Sequence, residues 1–352
     1  MNILHTLTQG AIMKGHDLDI PGEIKFLLDV DGFQKIVFLH TAQVLGIFDA
    51  LSKRRARAKT IAQQNALHEE FTASLLHALA GLGYLQQQRG IYSLSHFSSV
   101  YLVSTSKEYI GDYISLFTDT WKDWMALPYV ARSGKPVPGM KLRGQQGKAV
   151  LRYYIAANEV VKQAVAQLAD RLDLRNVRQV ICGEVGLTFL QALLARKPEI
   201  AYTLAALKEH KRYYPGLLRR FPLPKSPQRF VYSAHGQALK DSWGGKGAYD
   251  LVFLYRKLAF YRYGDQFIKK SFRALSLGGM VVVCEPTTDS LLHFMRWILD
   301  AIQIMDYMIG GTRAPRLMSS KEIETRLRKA GFRKTKTVST MFGVFQFVVG
   351  IK

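Results

Sequence analysis

Cysteine is nearly absent from this chain of 352 residues. The two cysteines, Cys182 and Cys284, both lie in apolar runs typical of strands, where a thiol behaves as a small hydrophobic side chain. Two such residues cannot provide a disulfide framework or a cysteine-rich metal site. None of the nine histidines stands at a metal-ligand spacing from a cysteine or a carboxylate. We therefore expect a reducing compartment and no metal.

Long hydrophobic runs are also missing. No segment reaches about 18 uncharged apolar residues, the length that a helix needs to cross a bilayer. The first residues, MNILHTLTQGAIMKGHD, have neither the basic start nor the sustained apolar core of a signal peptide. The sequence therefore predicts a cytoplasmic protein without a membrane span.

Acidic residues are few, with 27 Asp and Glu against 49 Lys and Arg, which gives a net charge of +22. Such a charge attracts nucleic acid, an anionic membrane surface or an anionic ligand, and a dispersed solvated surface also carries it. The basic residues lie in four separate segments, at 53–59, 208–214, 256–270 and 328–336. Because they form no single tail, we favour a dispersed surface, followed by an anionic ligand or peripheral contact with an anionic membrane.

The composition is that of a globular protein, with 48% hydrophobic and 22% charged residues over a length sufficient for two domains. In the first part of the chain, apolar residues recur at helical spacing over 33–51. The boundary signals then predict a short helix, a longer helix and a two-strand hairpin, at 60–64, 69–82, 84–87 and 91–94. This order is typical of a winged helix.

From residue 176 onward strands alternate with helices, with strands predicted at 177–182, 200–205, 228–232, 249–254 and 279–284, and helices at 187–196, 264–276 and 320–330. The chain ends in two strand-like runs, 334–340 and 344–351. The pattern predicts an α/β fold, with a mostly parallel sheet covered on both faces and a C-terminal antiparallel hairpin. The predicted domains are an N-terminal winged helix, a helical linker with substrate-cavity helices and a Rossmann-like domain, at 1–106, 107–175 and 176–352.

The segment 177–198 reads as a strand, a glycine turn and an amphipathic helix, which is how a nucleotide-binding unit begins. Gly183 and Gly186 form the turn. However, Glu184 and Val185 interrupt the glycine run, and no acidic residue ends the strand. The segment therefore marks a ligand site whose usual chemistry is altered.

Several short motifs stand in an order that is typical of one enzyme family. They are LGIFDAL (45–51), KTIAQQ (59–64), LLHALAGLGYL (75–85), WKDWMALPYVARSGKP (121–136), RYYIAANEVV (152–161), RALSLGGMVVVCEP (273–286) and LRKAGF (327–332). By these motifs the chain resembles, over about residues 30–351, the S-adenosylmethionine (SAM)-dependent small-molecule O-methyltransferases. The resemblance implies a winged helix that dimerises and does not read DNA. It therefore implies a homodimer, or a heteromer with an intact homologue, and argues against a nucleic-acid partner.

The positions that this family uses for its chemistry are altered here. Its motif D-x-G-G-G-x-G is broken, because the Asp falls on Cys182 or Ile181 according to the alignment. The acid that accepts the ribose hydroxyls falls on Ala206, and the catalytic histidine falls on Ala259. The adenine-side acid falls on Ala234, His235 or Gly236. One supporting glutamate is retained as Glu285, and a second becomes Pro315 beside a retained Arg316.

The candidate residues fall into three groups. The candidate catalytic residues are Glu285 and Tyr255. The candidate cofactor-binding residues are Gly183, Glu184, Gly186, Glu209 and His235. The candidate ligand-binding residues, for a small molecule that is anionic or aromatic, are Trp121, Trp124, Asn158, Lys208, His210, Arg256 and Arg316.

Three functions remain open on these residues. The first is a divergent family member that has lost histidine-dependent O-methyl transfer and performs non-methylating chemistry or ligand binding. The second is an active methyltransferase whose acceptor is already nucleophilic, and the third is a silent dimer partner or a membrane-associated protein. The resemblance implies SAM as cofactor and the altered residues argue against it, so SAM binding also remains open.

Overall fold

The computed structural model describes residues 22–140, 148–233, 243–258, 264–289, 296–310, 316–340 and 345–352. The chain divides into two compact units, Met1–Ile114 and Ser115–Lys352.

The first unit contains a winged helix. Its helices and strands are α1 (Gly22–Val30), α2 (Gly32–Val44), α3 (Ile47–Lys53), β1 (Ala56–Arg57), α4 (Ala58–Gln64), α5 (Glu69–Gly81), β2 (Leu85–Gln88), β3 (Ile91–Leu94) and α6 (His96–Tyr101). The strands pair antiparallel in the order β1-β3-β2, as the predicted hairpin requires. Arg89 and Gly90 both take positive φ, 51° and 74°, which suits the tight turn between β2 and β3.

The apolar stretch 33–51 forms two helices, because Gly46 takes a left-handed φ of 67° between α2 and α3. Helix α1 has no buried residue and exposes a row of apolar side chains, namely Ile24, Phe26, Leu27, Leu28 and Val30. No single helix of the described residues is long and apolar enough to cross a membrane. Only the pair Gly22–Val44 and Ile47–Lys53, bent by 58°, has the length and composition when taken together.

The second unit is an α/β domain preceded by helices. The helices are α7 (Asp112–Asp119), which spans the unit boundary, α8 (Trp121–Trp124), α9 (Leu127–Ser133), α10 (Lys148–Arg171), α11 (Leu187–Arg196), α12 (Tyr214–Arg220), α13 (Gly264–Ala274), α14 (Arg296–Gly310) and α15 (Ser320–Lys329). The strands are β4 (Gln179–Cys182), β5 (Ala201–Leu207), β6 (Arg229–Ser233), β7 (Tyr249–Tyr255), β8 (Leu275–Pro286), β9 (Lys334–Val338) and β10 (Phe345–Ile351).

These seven strands form one sheet of order β6-β5-β4-β7-β8-β10-β9. Strands β4 to β8 run parallel, and β10 pairs antiparallel with β8 and β9. This confirms the predicted α/β fold. Two helical segments, 208–220 and 296–310, were not expected from the sequence.

Successive residues of each strand point to opposite faces of the sheet, and both faces are buried. On one face, Val180 and Cys182 pack with residues of α10 and α11. On the other face, Ile181 packs with residues of α13 and α15. The parallel strands thereby bring the ends of β4, β5, β6 and β7 to one edge of the sheet, where ligands bind in folds of this class.

Candidate functional site

The turn after β4 is held by a side chain from helix α10. Asn158 is fully buried, and its Nδ2 donates to the carbonyl oxygens of Tyr154 and Glu184, both at 2.8 Å. Its Oδ1 accepts from the backbone N–H of Leu187 at 3.0 Å and of Thr188 at 3.4 Å. The amide therefore caps the start of α11 and fixes the glycine turn. Its hydrogen-bonding capacity is used inside the protein, so Asn158 positions this turn.

The two glycines of the turn serve different purposes. A Cβ at Gly186 would lie 2.8 Å from Cys182 Cβ, which is too close, and 3.3 Å from Phe253 Cδ1, which is tight. A Cβ at Gly183 would meet only the carbonyl oxygen of Ala205, at 3.7 Å. Gly186 is therefore required by packing against the sheet, whereas Gly183 leaves room for a ligand to approach the backbone.

Glu184 carries a buried carboxylate at this turn, with 6% of the residue exposed. Its Oε1 accepts a hydrogen bond of 2.9 Å from the backbone N–H of Leu207, the last residue of β5. Ala206, which falls on the ribose acid of the family, directly precedes Leu207. The turn thus places a carboxylate at the end of β5, where the expected acid is missing.

A small cleft, open to solvent, lies at this edge of the sheet. Gly183, Glu184 and the ends of β5 and β7 line it, and its further walls are Ser233, Trp243 and Lys257. Lys257 belongs to the basic residues that the sequence suggested for an anionic ligand, whereas Ser233 and Trp243 were not expected at the site. Ser233 ends β6 and was therefore predictable from its position, but Trp243 follows no motif and could not be found from sequence alone.

Most of the basic residues predicted to hold an anion do not line this cleft. Lys208 and Glu209 are exposed. His210 is buried, and its Nδ1 lies 2.6 Å from the hydroxyl of Tyr154. The guanidinium of Arg256 contacts both carboxylate oxygens of Asp306, at 2.7 and 2.8 Å, and both residues are buried. Its charge is therefore already balanced, and Lys257 remains the cation of this group that lines the cleft.

The two predicted catalytic residues lie at the ends of β7 and β8. Glu285 is buried, and its Oε1 accepts from the backbone N–H of Leu258 at 2.7 Å. Burial raises the pKa of Tyr255 well above its ordinary value, so the phenol is neutral. Tyr255 packs against Phe345, with ring centroids 5.6 Å apart. Glu285 therefore fixes the segment after β7, and Tyr255 has no proton-accepting form near neutral pH.

The remaining candidates lie away from the cleft or outside the described residues. Trp124 packs beside an apolar cluster that includes Val130 and Met308, and Trp121 is half-buried on the same short helix. Arg316 is exposed and pairs with Glu322 at 2.5 Å. The positions of His235 and Ala259 lie outside the described residues. Within the described part of the chain, no group of three His, Cys, Asp or Glu residues could hold a metal ion.

The fold is similar to that of the class I O-methyltransferases, with a winged helix before the α/β domain. Residues 29–104 match the family model of the O-methyltransferase dimerisation domain. The chain as a whole resembles the class I small-molecule O-methyltransferases.

A curated relative supports this resemblance. The chain is 27% identical over 183 residues to 3-hydroxy-5-methyl-1-naphthoate 3-O-methyltransferase of Streptomyces sahachiroi. That alignment covers 50% of this chain and 53% of the relative, so the match spans about half the length of the curated protein.

Solved structures share the fold over nearly the whole chain. An O-methyltransferase family protein from Burkholderia thailandensis is 21% identical, with a TM-score of 0.71 over 95% of this chain and 98% of its own. Human N-acetylserotonin methyltransferase in complex with SAM is 17% identical, with a TM-score of 0.77 over 96% and 99%. At these identities the likeness concerns the fold.

Proposed function

We propose that this protein is a SAM-dependent methyltransferase of small-molecule metabolism whose acceptor needs no histidine base. The observation that supports it most directly is the buried Glu184 carboxylate at the strand-end cleft beside Ala206. The sequence favoured a non-methylating relative because the ribose acid is missing at Ala206. A carboxylate that reaches the same strand end from the neighbouring turn weakens that argument.

The residues of the cleft fit a nucleoside better than an anion. Gly183 leaves space for close approach of a ligand to the backbone, and Trp243 supplies an aromatic wall. Glu184 places negative charge at the end of β5, which disfavours a phosphate beside it and suits a ligand with hydroxyl donors. In this proposal Gly183, Glu184 and Trp243 hold SAM, which supplies an electrophilic methyl group when bound.

The protein's own contribution to the reaction is then mainly positioning. Glu285 holds the Leu258 amide and so fixes the start of the segment in which Ala259 replaces the family histidine. Alanine cannot accept a proton. The acceptor must therefore already be nucleophilic when it binds, as an enolate, an enamine-like carbon or a thiolate. The protein then lowers the barrier by aligning the methyl donor with the acceptor.

Titration calorimetry with SAM tests this function. We expect binding in the micromolar to millimolar range, and transfer of label from [methyl-³H]SAM to an enolate or thiolate acceptor but not to a phenol. The variant Ala259→His should add transfer to phenols, since it restores a base at that position. No binding at millimolar SAM would contradict the proposal.

A second candidate is the non-methylating relative, which the alanines at positions 206 and 259 favour. It predicts SAM binding without release of S-adenosylhomocysteine for any acceptor, or no SAM binding at all. For assembly we propose a homodimer formed through residues 29–104, with a heteromer as the alternative. An intact methyltransferase that co-purifies with the chain would favour the heteromer.

A further inference from the structure

Glu184 is a buried acid without a cation bonded to its carboxylate among the ion pairs of the described residues. Burying a carboxylate costs several kcal/mol unless hydrogen bonds compensate for the lost water. The Leu207 N–H provides one such bond, at 2.9 Å. The other two buried residues of this turn, Val185 and Gly186, are not polar. Packing alone therefore does not require an acid at position 184.

Glu184 is held from two sides. Asn158 binds its main-chain carbonyl at 2.8 Å, and β5 binds its side chain through Leu207. Asn158 also accepts from Leu187, so the same amide ties the turn to the start of α11. The carboxylate is therefore held in position before any ligand binds, which lowers the entropic cost of recognition.

The carboxylate of Glu184 lies beside the position of the missing acid. Strands β4 and β5 are adjacent and parallel, with Cys182 in register with Leu204. From the turn after β4, Glu184 reaches across to the end of β5, at the residue that follows Ala206. Glu184 and Ala206 line the same cleft. Because the side chain of Ala206 is only a methyl group, it leaves space beside the Glu184 carboxylate.

We propose that Glu184 is the carboxylate that accepts hydrogen bonds from ligand hydroxyl groups in this cleft, in place of the strand-end acid absent at Ala206. An ionised carboxylate offers about four acceptor positions, and the Leu207 N–H occupies one of them. The ligand class is a ribonucleoside with unsubstituted 2′ and 3′ hydroxyls, and a phosphate on either hydroxyl is repelled. The inference rests on the proposed function, which places a nucleoside cofactor in the cleft.

The test measures how strongly the protein depends on the ligand's hydroxyls. Dissociation constants are determined for S-adenosylhomocysteine and for its 2′,3′-dideoxy analogue. Wild-type protein should prefer the first by about 10- to 100-fold, as expected for hydrogen bonds to a charged group. In Glu184→Gln the amide oxygen can still accept from Leu207, so the fold is kept, but the preference should fall to less than about 10-fold because the bonds become neutral.

Two further variants separate recognition from structure. Glu209 is the other acid near the end of β5, and its side chain is exposed. Glu209→Gln should therefore leave the preference unchanged. Ala206→Asp in the Glu184→Gln background should restore it, because the acid returns to the strand end.

The assignment of Glu184 is overturned if the preference for S-adenosylhomocysteine over its dideoxy analogue survives in Glu184→Gln, or if it is lost in Glu209→Gln instead. Either result leaves the proposed function standing. If neither S-adenosylhomocysteine nor adenosine binds the wild type at millimolar concentration, the proposed function fails and the inference fails with it.

Discussion

The guanidinium of Arg256 contacts both carboxylate oxygens of Asp306, fifty residues further along the chain, and the pair is buried. Burial alone would lower the pKa of Arg256, but Asp306 together with Tyr153, Tyr255 and Glu285 raises it by more, so the side chain stays charged. Arg256 also takes a left-handed φ of 46°, and its N–H donates to Cys284 O at 2.9 Å. The pair therefore ties the end of β7 to α14.

Removal of one partner should be strongly destabilising. We expect Asp306→Leu to lower the free energy of unfolding by about 3–5 kcal/mol, because it leaves a buried cation without its counter-ion. Asp170→Leu is the matched control, since Asp170 also lies on a helix and pairs with an arginine but has 62% of its side chain exposed. It should cost less than about 1 kcal/mol in urea unfolding. Equal losses for the two variants would show that the Arg256 pair has no special role.

Asn158 should act through the turn that it holds. Asn158→Ala leaves the Leu187 N–H and the Glu184 carbonyl without their partner, and we expect a loss of about 1–3 kcal/mol in the free energy of unfolding. Amide exchange at Leu187 should accelerate by more than the global change accounts for. Gln191→Ala is the control, because it removes a hydrogen bond to Pro222 O at the surface. Unchanged protection at Leu187 would contradict this role.

The two glycines of the turn should respond differently to a methyl group. Gly186→Ala should lower the free energy of unfolding by about 1–3 kcal/mol, because its Cβ meets Cys182 and Phe253 inside the core. Gly183→Ala should fold with little loss, since its Cβ would meet only Ala205 O at 3.7 Å. It should instead weaken S-adenosylhomocysteine binding by narrowing the cleft. If Gly183→Ala binds as the wild type does, the ligand does not approach this backbone.

The elements around the turn were predictable because their local patterns agree with the fold. The helix 187–196 was expected with the bounds it has, and the strand after residue 176 with bounds that differ by two residues. Helix α12 was not expected, although Pro215 stands in its first turn, where proline suits a helix start. Helix α14 was also missed.

The directions of the side chains at the site could not be predicted. The sequence places His210 and Arg256 directly after strands, which is where ligand-binding residues of this fold class lie. The structure turns His210 towards Tyr154 and Arg256 towards Asp306, partners 56 and 50 residues away. Contacts over such distances depend on tertiary packing, which a local pattern does not contain. Glu184 is the opposite case, because the sequence marked it as an interruption of the glycine run and the structure places its carboxylate at the cleft.

The exposed apolar row on α1 should form part of the dimer interface. Leu27 has 57% of its surface exposed within the single chain, and Phe26 has 66%. We expect light scattering to show a dimer, and Leu27→Glu to raise its dissociation constant by at least about 10-fold through an unpaired buried charge. Leu277→Glu is the control, because Leu277 is 83% exposed near the start of strand β8 in the second unit. A dimer insensitive to Leu27→Glu would exclude α1 from the interface.

The start of helix α15 should make stability depend on pH in acid. Backbone N–H donation from Ser319 lowers the pKa of Glu322 below its ordinary 4.5. Burial raises the pKa of Asp289, but hydrogen bonds from the hydroxyl and N–H of Ser320, with those from Thr287 and its own backbone, together lower it to below its ordinary 3.8. A carboxyl group whose pKa is lower in the folded state stabilises the fold above its unfolded pKa, and this contribution is lost as the pH falls through the folded value.

We therefore expect the double variant Asp289→Asn, Glu322→Gln to be less stable than the wild type at pH 7 by about 1–2 kcal/mol, the usual range for helix-capping groups. The difference should shrink as the pH falls below about 4, because the wild-type carboxylates are then protonated as well. Ser319→Ala is the control, since it removes the capping hydroxyl but keeps both carboxylates, and its loss should vary little with pH. Urea unfolding at pH 7 and pH 3 measures both variants. A double-variant difference that is the same at the two pH values would show that these carboxylates do not stabilise the helix through their charge.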